Sequence, residues 1–331
     1  MEYLWLIFGF VLLIVGADIF VEGSSSIAKL LKIPSIIIGL TIVAFGTSMP
    51  EASVSINAAL QGENSIAVSN VIGSNIFNLL VVLGASALIC PVNSNASAIK
   101  KEIPFSIIVA VVLGVLLCFG VSFGEGADAV SGFAKLDNAM FSIGLIGGIV
   151  LLLFFAFYMY WQISGALKAR KEGLAEESSD EKKISPVMAI EMIVLGLVGI
   201  IMGGDLVVEN ASIIAANFGM SQTFIGLTIV AIGTSLPELV TSMVAARKGE
   251  SDIALGNVIG SNVFNIVFIL GFSAVLSPMT VDVLSIYDTI VLVAVSILGL
   301  VFAKTQKKFS RAEGAVMLAI YVAYFVYILL R

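Results

Sequence analysis

Two stretches of this sequence set a carboxylate, a proline and two hydroxyls in the same order. They are Thr47-Ser48-Met49-Pro50-Glu51 and Thr234-Ser235-Leu236-Pro237-Glu238. Residues three and four apart share a helix face, so Thr47 and Ser48 point the same way as Glu51, and Thr234 and Ser235 the same way as Glu238. Proline cannot donate to the helix ladder and strips the carbonyl four residues earlier of its partner. Here those carbonyls belong to Gly46 and Gly233. Carboxylate, hydroxyl and loosened carbonyl are all oxygen ligands, which suit Na⁺ or Ca²⁺ and not soft metals. Ser and Thr in membrane helices also bond back to their own backbone or help helices pack. Their coincidence with Glu and Pro, twice over, selects the ligand reading.

A second pattern follows each of these. NVIGSNIFN at 70–78 and NVIGSNVFN at 257–265 place Ser74 four residues before Asn78, and Ser261 four before Asn265. Each pair projects neutral oxygens from one helix face. Gly73 and Gly260 would let another backbone approach closely. Small-residue packing with interhelical amide bonds, worth about 1 kcal/mol each, explains the same pattern. Spacing alone leaves ligation and packing open here. Asn75 and Asn262 point to a different face and read as packing residues.

All of these residues lie in apolar segments. The chain has 331 residues, of which 59% are hydrophobic and 12% charged, with mean hydropathy +1.09. A soluble domain averages about a quarter charged residues. The chain therefore reads as an all-α polytopic membrane protein whose medium is the lipid bilayer. It has no histidine, which removes Ser-His and Cys-His catalysis, HExxH zinc sites and His proton relays. The net charge of −6 and the lack of a basic tract argue against a nucleic-acid partner. Cys90 and Cys118 form neither a disulfide framework nor a metal spacing.

Hydropathy predicts ten spans, near 3–22, 35–60, 65–89, 103–122, 139–162, 187–209, 223–246, 252–276, 285–303 and 313–330. Between the fifth and sixth, Gly165–Ser185 is charged and lacks apolar periodicity, as a solvated linker does. With the N-terminus outside, 15 of the 17 Lys and Arg residues fall in inside loops, and only Lys135 and Arg331 fall outside. That asymmetry predicts a cell-membrane protein with an outside N-terminus and a cytoplasmic linker at 165–186. The outer loops carry Glu63, Glu125, Asp128, Asp137, Asp282 and Asp288, either as solvated loop acids or as mouths that gather cations. Asp18, Glu22, Asp205 and Glu209 end the first helix of each half. They read as interfacial acids, with entry-lining as the functional alternative.

A gapless offset of 187 residues pairs Glu51 with Glu238, Asp18 with Asp205, Glu22 with Glu209, and residues 70–75 with 257–262. The chain is therefore a duplicated half. The expected division is 1–164, a linker at 165–186, and 187–331. Five spans per half is an odd number, so the second copy enters the membrane from the opposite side. That predicts two inverted five-helix repeats, broken at helices 2 and 7, with a site at the midplane. Two carboxylates neutralise one Ca²⁺ or two Na⁺. Buried without a counter-ion they are costly, so the empty site should resist crossing or take up protons. Such a site couples exchange.

GTSMPE and GTSLPE, each followed by GSNxFN, resemble the two alpha-repeats of the cation/calcium exchanger superfamily, above all its prokaryotic sodium/calcium exchangers. The resemblance spans the chain in topology and about residues 35–90 and 222–277 in motif. It implies a ten-helix antiporter that exchanges Na⁺ for Ca²⁺ by alternating access, with no cofactor, with a single chain as the working unit, and with first and sixth helices that slide across the rest. The family's ligands map onto Glu51, Glu238, the hydroxyls and carbonyls of Thr47 and Thr234, and the side chains of Ser48, Ser235, Ser74, Ser261, Asn78 and Asn265. The carbonyls of Ala44 and Ala231 complete that set. Some relatives, K⁺-dependent ones among them, carry Asp at the position of Asn265, so Asn here suggests K⁺ independence. The competing expectations are a Ca²⁺/H⁺ or other cation exchanger and, more remotely, a cation channel or an intramembrane hydrolase.

Overall fold

The computed structural model describes residues 1–119, 122–123, 139–173, 184–220 and 225–330. Lys135, Lys182, Lys183 and Arg331 lie outside the described residues, as do Glu125, Asp128, Asp137 and most of the linker.

Long apolar helices make up the molecule. Helix α1 runs Glu2–Leu31, α2 Ser35–Thr47, α3 Met49–Leu60, α4 Asn64–Ile89, α5 Ala98–Phe119, α6 Leu145–Glu172 and α7 Pro186–Asn217. A short segment at 226–233 forms α8. It is followed by α9 Leu236–Arg247, α10 Ser251–Leu276, α11 Val283–Thr305 and α12 Arg311–Leu330. Among the described residues, eight helices are single apolar runs long enough to cross a bilayer. The pair α2 and α3 makes a ninth span, bent by 51°.

Helices α4 and α10 occupy the centre. Within their most apolar windows 72% and 83% of residues are buried, against 44% or less in the other single helices. Their sequences fit that place. Ala, Gly, Ser and Asn recur through 64–78 and 251–265, so neighbouring backbones come close there, and the outer helices carry Leu, Phe and Ile toward lipid. Two small antiparallel sheets finish the ends of the bundle. Val92–Asn93 pairs antiparallel with Lys308–Phe309, and Ala139–Ile143 pairs with both Ser122–Phe123 and Met279–Val281.

Four sequence expectations shift in position. Asp18, Glu22, Asp205 and Glu209, read as ending the first helix of each half, lie inside α1 and α7, which run on to Leu31 and Asn217. Residues 139–143, read as the start of the fifth span, form a strand instead. Helix α6 continues to Glu172, so the first residues of the charged linker are helical. Asp288 is no loop acid: it lies within α11, 5% exposed, and accepts a hydrogen bond from Tyr324 Oη at 3.0 Å. Asp282 caps that helix by accepting the Ser285 N–H.

Helices α1 and α7 pack antiparallel along a seam of glycines. A Cβ on Gly196 would stand 2.6 Å from Phe20 N, and one on Gly203 would stand 2.6 Å from Leu13 N. The seam is closed to any side chain, and the two helices form one unit laid beside α2, α3, α8 and α9.

Candidate functional site

The site begins at two breaks in the helical ladder. Ser48 (φ −83°, ψ 9°) ends α2, and Ser235 (φ −93°, ψ 7°) stands between α8 and α9. Pro50 and Pro237 then sit in the first turns of α3 and α9, where a missing N–H costs nothing. Around Gly46 the chain supplies its own partner, because the Ser48 N–H turns toward both Ala44 O and Gly46 O. Glu51 and Glu238 fall in the first turns of the new helices. Free N–H groups and the positive end of the dipole favour a negative charge there.

Both glutamates are fully buried, and each is held by a serine from the other half. Ser235 Oγ donates to Glu51 Oε1 at 2.9 Å, and Ser48 Oγ donates to Glu238 Oε1 at 2.8 Å. Ser261 Oγ approaches both Glu238 Oε1 and Ala44 O at 3.5 Å. Thr47 Oγ1 donates to Asn257 Oδ1 at 3.0 Å. Among the described residues no Lys or Arg pairs with either glutamate. Each also keeps one buried carboxylate oxygen, Oε2, without a hydrogen-bond partner.

The central helices meet through four asparagines. Asn75 Nδ2 donates to Asn262 O at 3.0 Å, and Asn262 Nδ2 donates to Asn75 O at 3.2 Å. Asn78 Nδ2 donates to Asn262 Oδ1, and Asn265 Nδ2 to Asn75 Oδ1, both at 3.1 Å. Every amide N–H₂ in this lattice is engaged with protein oxygen. The oxygens left over are Asn78 Oδ1 and Asn265 Oδ1, both buried and without a partner, as is Ser74 Oγ. Asn78 and Asn265 also open π-helical turns, Asn78–Val82 and Asn265–Leu270, a distortion common at functional sites.

The structure thus gathers Ser48, Ser261, Thr47 and the Ala44 carbonyl around Glu238 by hydrogen bonds, with Asn257 among them, and pairs Glu51 with Ser235 in the matching contact. Asn265 stands one helical turn beyond Ser261, and Asn78 joins it through the amide lattice. Ser74 is buried on α4 one turn before Asn78. Thr234 is half-buried and lines a cavity of about 500 Å³. The Ala231 backbone lies in α8, one turn before Ser235. Gly260 behaves as expected, since a Cβ there would stand 2.7 Å from Leu40 O. Gly73 does not: a Cβ there would meet nothing within 4 Å among the described residues.

Asn257 and Asn70 are the residues that sequence reasoning passed over. Asn257 Nδ2 donates to Ser242 Oγ at 3.0 Å and to Glu238 O at 3.4 Å, and its Oδ1 receives Thr47. Asn70 Nδ2 likewise donates to Ser55 Oγ at 2.9 Å and to Glu51 O at 3.5 Å. The available signal was their repetition at the 187-residue offset. Asn75 and Asn262 do pack, as expected, and in doing so they orient the amides of Asn265 and Asn78.

The cavity beside the site lies between α7 and α3. Ile201, Gly204, Asp205, Val208 and Glu209 form one wall, and Met49, Pro50, Ser53 and Val54 face them. Thr234 and Pro237 lie on its lining as well.

An apolar helical bundle with two buried acids amid spare oxygens, and a cavity lined by the prolines that precede those acids, defines a multi-pass membrane transporter. Comparison with known proteins narrows the class. The sequence profile described as "Sodium/calcium exchanger protein" matches residues 1–164 and 188–330, and the chain belongs to that family. CaxA of Alkalimonas amylolytica is 40% identical over 327 residues, covering 97% of this chain and 96% of its own. The sodium/calcium exchanger MaX1 of Methanosarcina acetivorans is 33% identical over 344 residues, with 98% and 97% covered. A solved structure of the sodium-calcium exchanger NCX_Mj superposes with a TM-score of 0.80 at 31% identity, covering 98% of each chain. The family is one of exchangers, so the channel and hydrolase alternatives are set aside.

Proposed function

We propose that this chain exchanges Na⁺ for Ca²⁺ across the cell membrane by alternating access, at a site built from Glu51, Glu238 and the oxygens around them. The observation that carries this reading is the set of spare oxygens. Glu51 Oε2, Glu238 Oε2, Asn78 Oδ1, Asn265 Oδ1 and Ser74 Oγ are all buried and unpartnered. An unpaired buried polar atom costs about 1–3 kcal/mol, and a charged one more. Five of them, on residues singled out in advance as oxygen ligands, are accounted for by a hard cation that completes their coordination. Ser48, Ser235, Ser261, Thr47, Thr234 and the carbonyls of Ala44 and Ala231 make up the rest of the proposed ligand set.

The topology follows from the same reading. Segment α8 and helix α9 make the tenth span, the counterpart of α2 and α3. The elements recur at the 187-residue offset, Met49–Leu60 against Leu236–Arg247 and Asn64–Phe77 against Ser251–Phe264. The two five-helix repeats, 1–164 and 187–331, are inverted. The Lys and Arg distribution puts the N-terminus outside and the 165–186 linker in the cytoplasm. The cavity along Asp205 and Glu209 then opens outward.

The test is Ca²⁺ uptake into proteoliposomes loaded with Na⁺, beside Na⁺-free vesicles and vesicles carrying only a pH gradient. Uptake that requires internal Na⁺ is the expected result. Uptake that follows pH and ignores Na⁺ would replace this reading with Ca²⁺/H⁺ exchange.

A further inference from the structure

Two turns of the chain share one backbone and differ in one charge. Gln61-Gly62-Glu63 follows α3, and Lys248-Gly249-Glu250 follows α9. Gly62 and Gly249 have φ of 80° and 81°. Gln61 and Lys248 adopt nearly the same angles, φ −85°, ψ −3° and φ −75°, ψ −4°. The Glu63 N–H bonds Ala58 O and the Glu250 N–H bonds Ala245 O, each at 2.9 Å. Each turn also has an acid pair at its counterpart position on the glycine-seamed unit, Asp205 with Glu209 or Asp18 with Glu22. Only the second turn carries a cation.

That cation is engaged. Lys248 Nζ stands 3.0 Å from Asp18 Oδ1 and 3.4 Å from Glu22 Oε2, and it donates to Asp18 O at 3.0 Å. Two like charges at i and i+4 repel each other, so the ammonium between them also relieves that repulsion. One step further on, Ser25 Oγ donates to Glu250 Oε1. Among the described residues neither contact has a counterpart in the first half. Ser212, which matches Ser25, has a hydroxyl without a partner, and Glu63 is exposed.

The two flanks differ in access to match. On the Gln61 side the cavity separates α7 from α3, and Val54 is 38% exposed. On the Lys248 side α1 packs along α9, and Val54's counterpart Thr241, one turn from Glu238, is fully buried with an unpartnered hydroxyl.

We infer that Lys248 is a latch, pinning the acid pair of α1 to the turn after α9 and holding the Lys248 flank of the site shut. The first half has Gln61 in its place and no latch, so the closed and open flanks are unequal in stability by construction. The inference rests on the exchange reading for its purpose, but its test needs no ion flux. Both acids are half-exposed, and such pairs are individually weak. The latch therefore biases an equilibrium and does not lock it.

Thr241→Cys in a Cys90→Ser, Cys118→Ser background supplies a thiol one turn from Glu238. Its reaction with a membrane-impermeant maleimide, applied from the Lys248 side of reconstituted vesicles without ion gradients, reports opening of that flank. Lys248→Gln should raise the labelling rate about three- to tenfold. Glutamine already occupies the same backbone turn at position 61, so the variant keeps the local fold. The mirror variant Gln61→Lys should lower labelling of Val54→Cys from the opposite side by a similar factor. The pair Lys248→Glu and Glu22→Lys/Lys248→Glu gives a second measure: the single reversal should label fast and the swap should label more slowly. Thr241→Cys labelling unchanged by Lys248→Gln, or a swap that labels as fast as the single reversal, overturns the latch. A protein that moves no Ca²⁺ still returns a labelling rate, so failure of the latch and failure of the exchange reading are distinguishable.

Discussion

At the scale of single residues the site is a problem of unpaired oxygen. The asparagine lattice is arranged so that each amide nitrogen is satisfied by protein and two amide oxygens are not. Removing a lattice member therefore does more than delete one bond. Asn262→Leu takes away the acceptor of Asn78 Nδ2 and the donor to Asn75 O at once. It should lower stability by about 1–3 kcal/mol, the cost of leaving a buried donor unpaired, and should weaken exchange because Asn78 is no longer held. Thermal unfolding beside Na⁺-driven Ca²⁺ uptake checks both. A variant with lost uptake and unchanged stability would make Asn262 a ligand and not a support. Glu51 and Glu238 stood out in the sequence because a carboxylate in an apolar run is expensive, and because it occurs twice beside proline; the structure buries both. The division of labour among the asparagines was not legible. Spacing tells which residues share a face, but not which end of an amide is used.

Elements explain how the pieces are presented. The breaks at Ser48 and Ser235 turn one long apolar helix into two, and each new N-terminus receives an acid. Proline predicted the interruption. The 51° bend and the π-helical turns at Asn78 and Asn265 were not predictable from composition, because they depend on how α4 and α10 pack against the broken helices. The same limit explains Asp288. Its position near a span end suggested water, but the Tyr324 hydroxyl on α12 draws it into the bundle. The glycine seam between α1 and α7 yields the sharpest prediction at this scale. Gly203→Leu would drive a side chain into the backbone at Leu13. It should cost about 1–3 kcal/mol from overpacking and should slow exchange by distorting the α1–α7 unit. A fall in unfolding temperature together with slower uptake is expected. Full stability with full uptake would mean that the seam opens without consequence.

At the scale of the whole molecule, the segments that recur at the 187-residue offset are not placed alike. Helix α1 is docked against α9, and its counterpart α7 is held off α3 by a cavity. Sequence could supply the repeat, the membrane class and the exchanger family, since each is a matter of residue type and order. It could not supply the inequality. That depends on one lysine against one glutamine, in turns that look alike until their partners are seen. The proposed cycle joins the two scales. Two carboxylates without a cation are costly to carry through a low-dielectric interior, so access should change when Ca²⁺ or Na⁺ neutralises them.

The central claim is that Na⁺ and Ca²⁺ compete for this one pair of glutamates. Equilibrium binding of radioactive Ca²⁺ to the purified protein, titrated with Na⁺ at constant ionic strength, tests it most directly, with Glu51→Gln and Glu238→Gln measured alongside. The account predicts saturable Ca²⁺ binding that Na⁺ displaces fully, and binding at least about tenfold weaker in either variant, as expected when one charged ligand of two is lost. Ca²⁺ binding that is indifferent to Na⁺, or that keeps wild-type affinity in both variants, would contradict it.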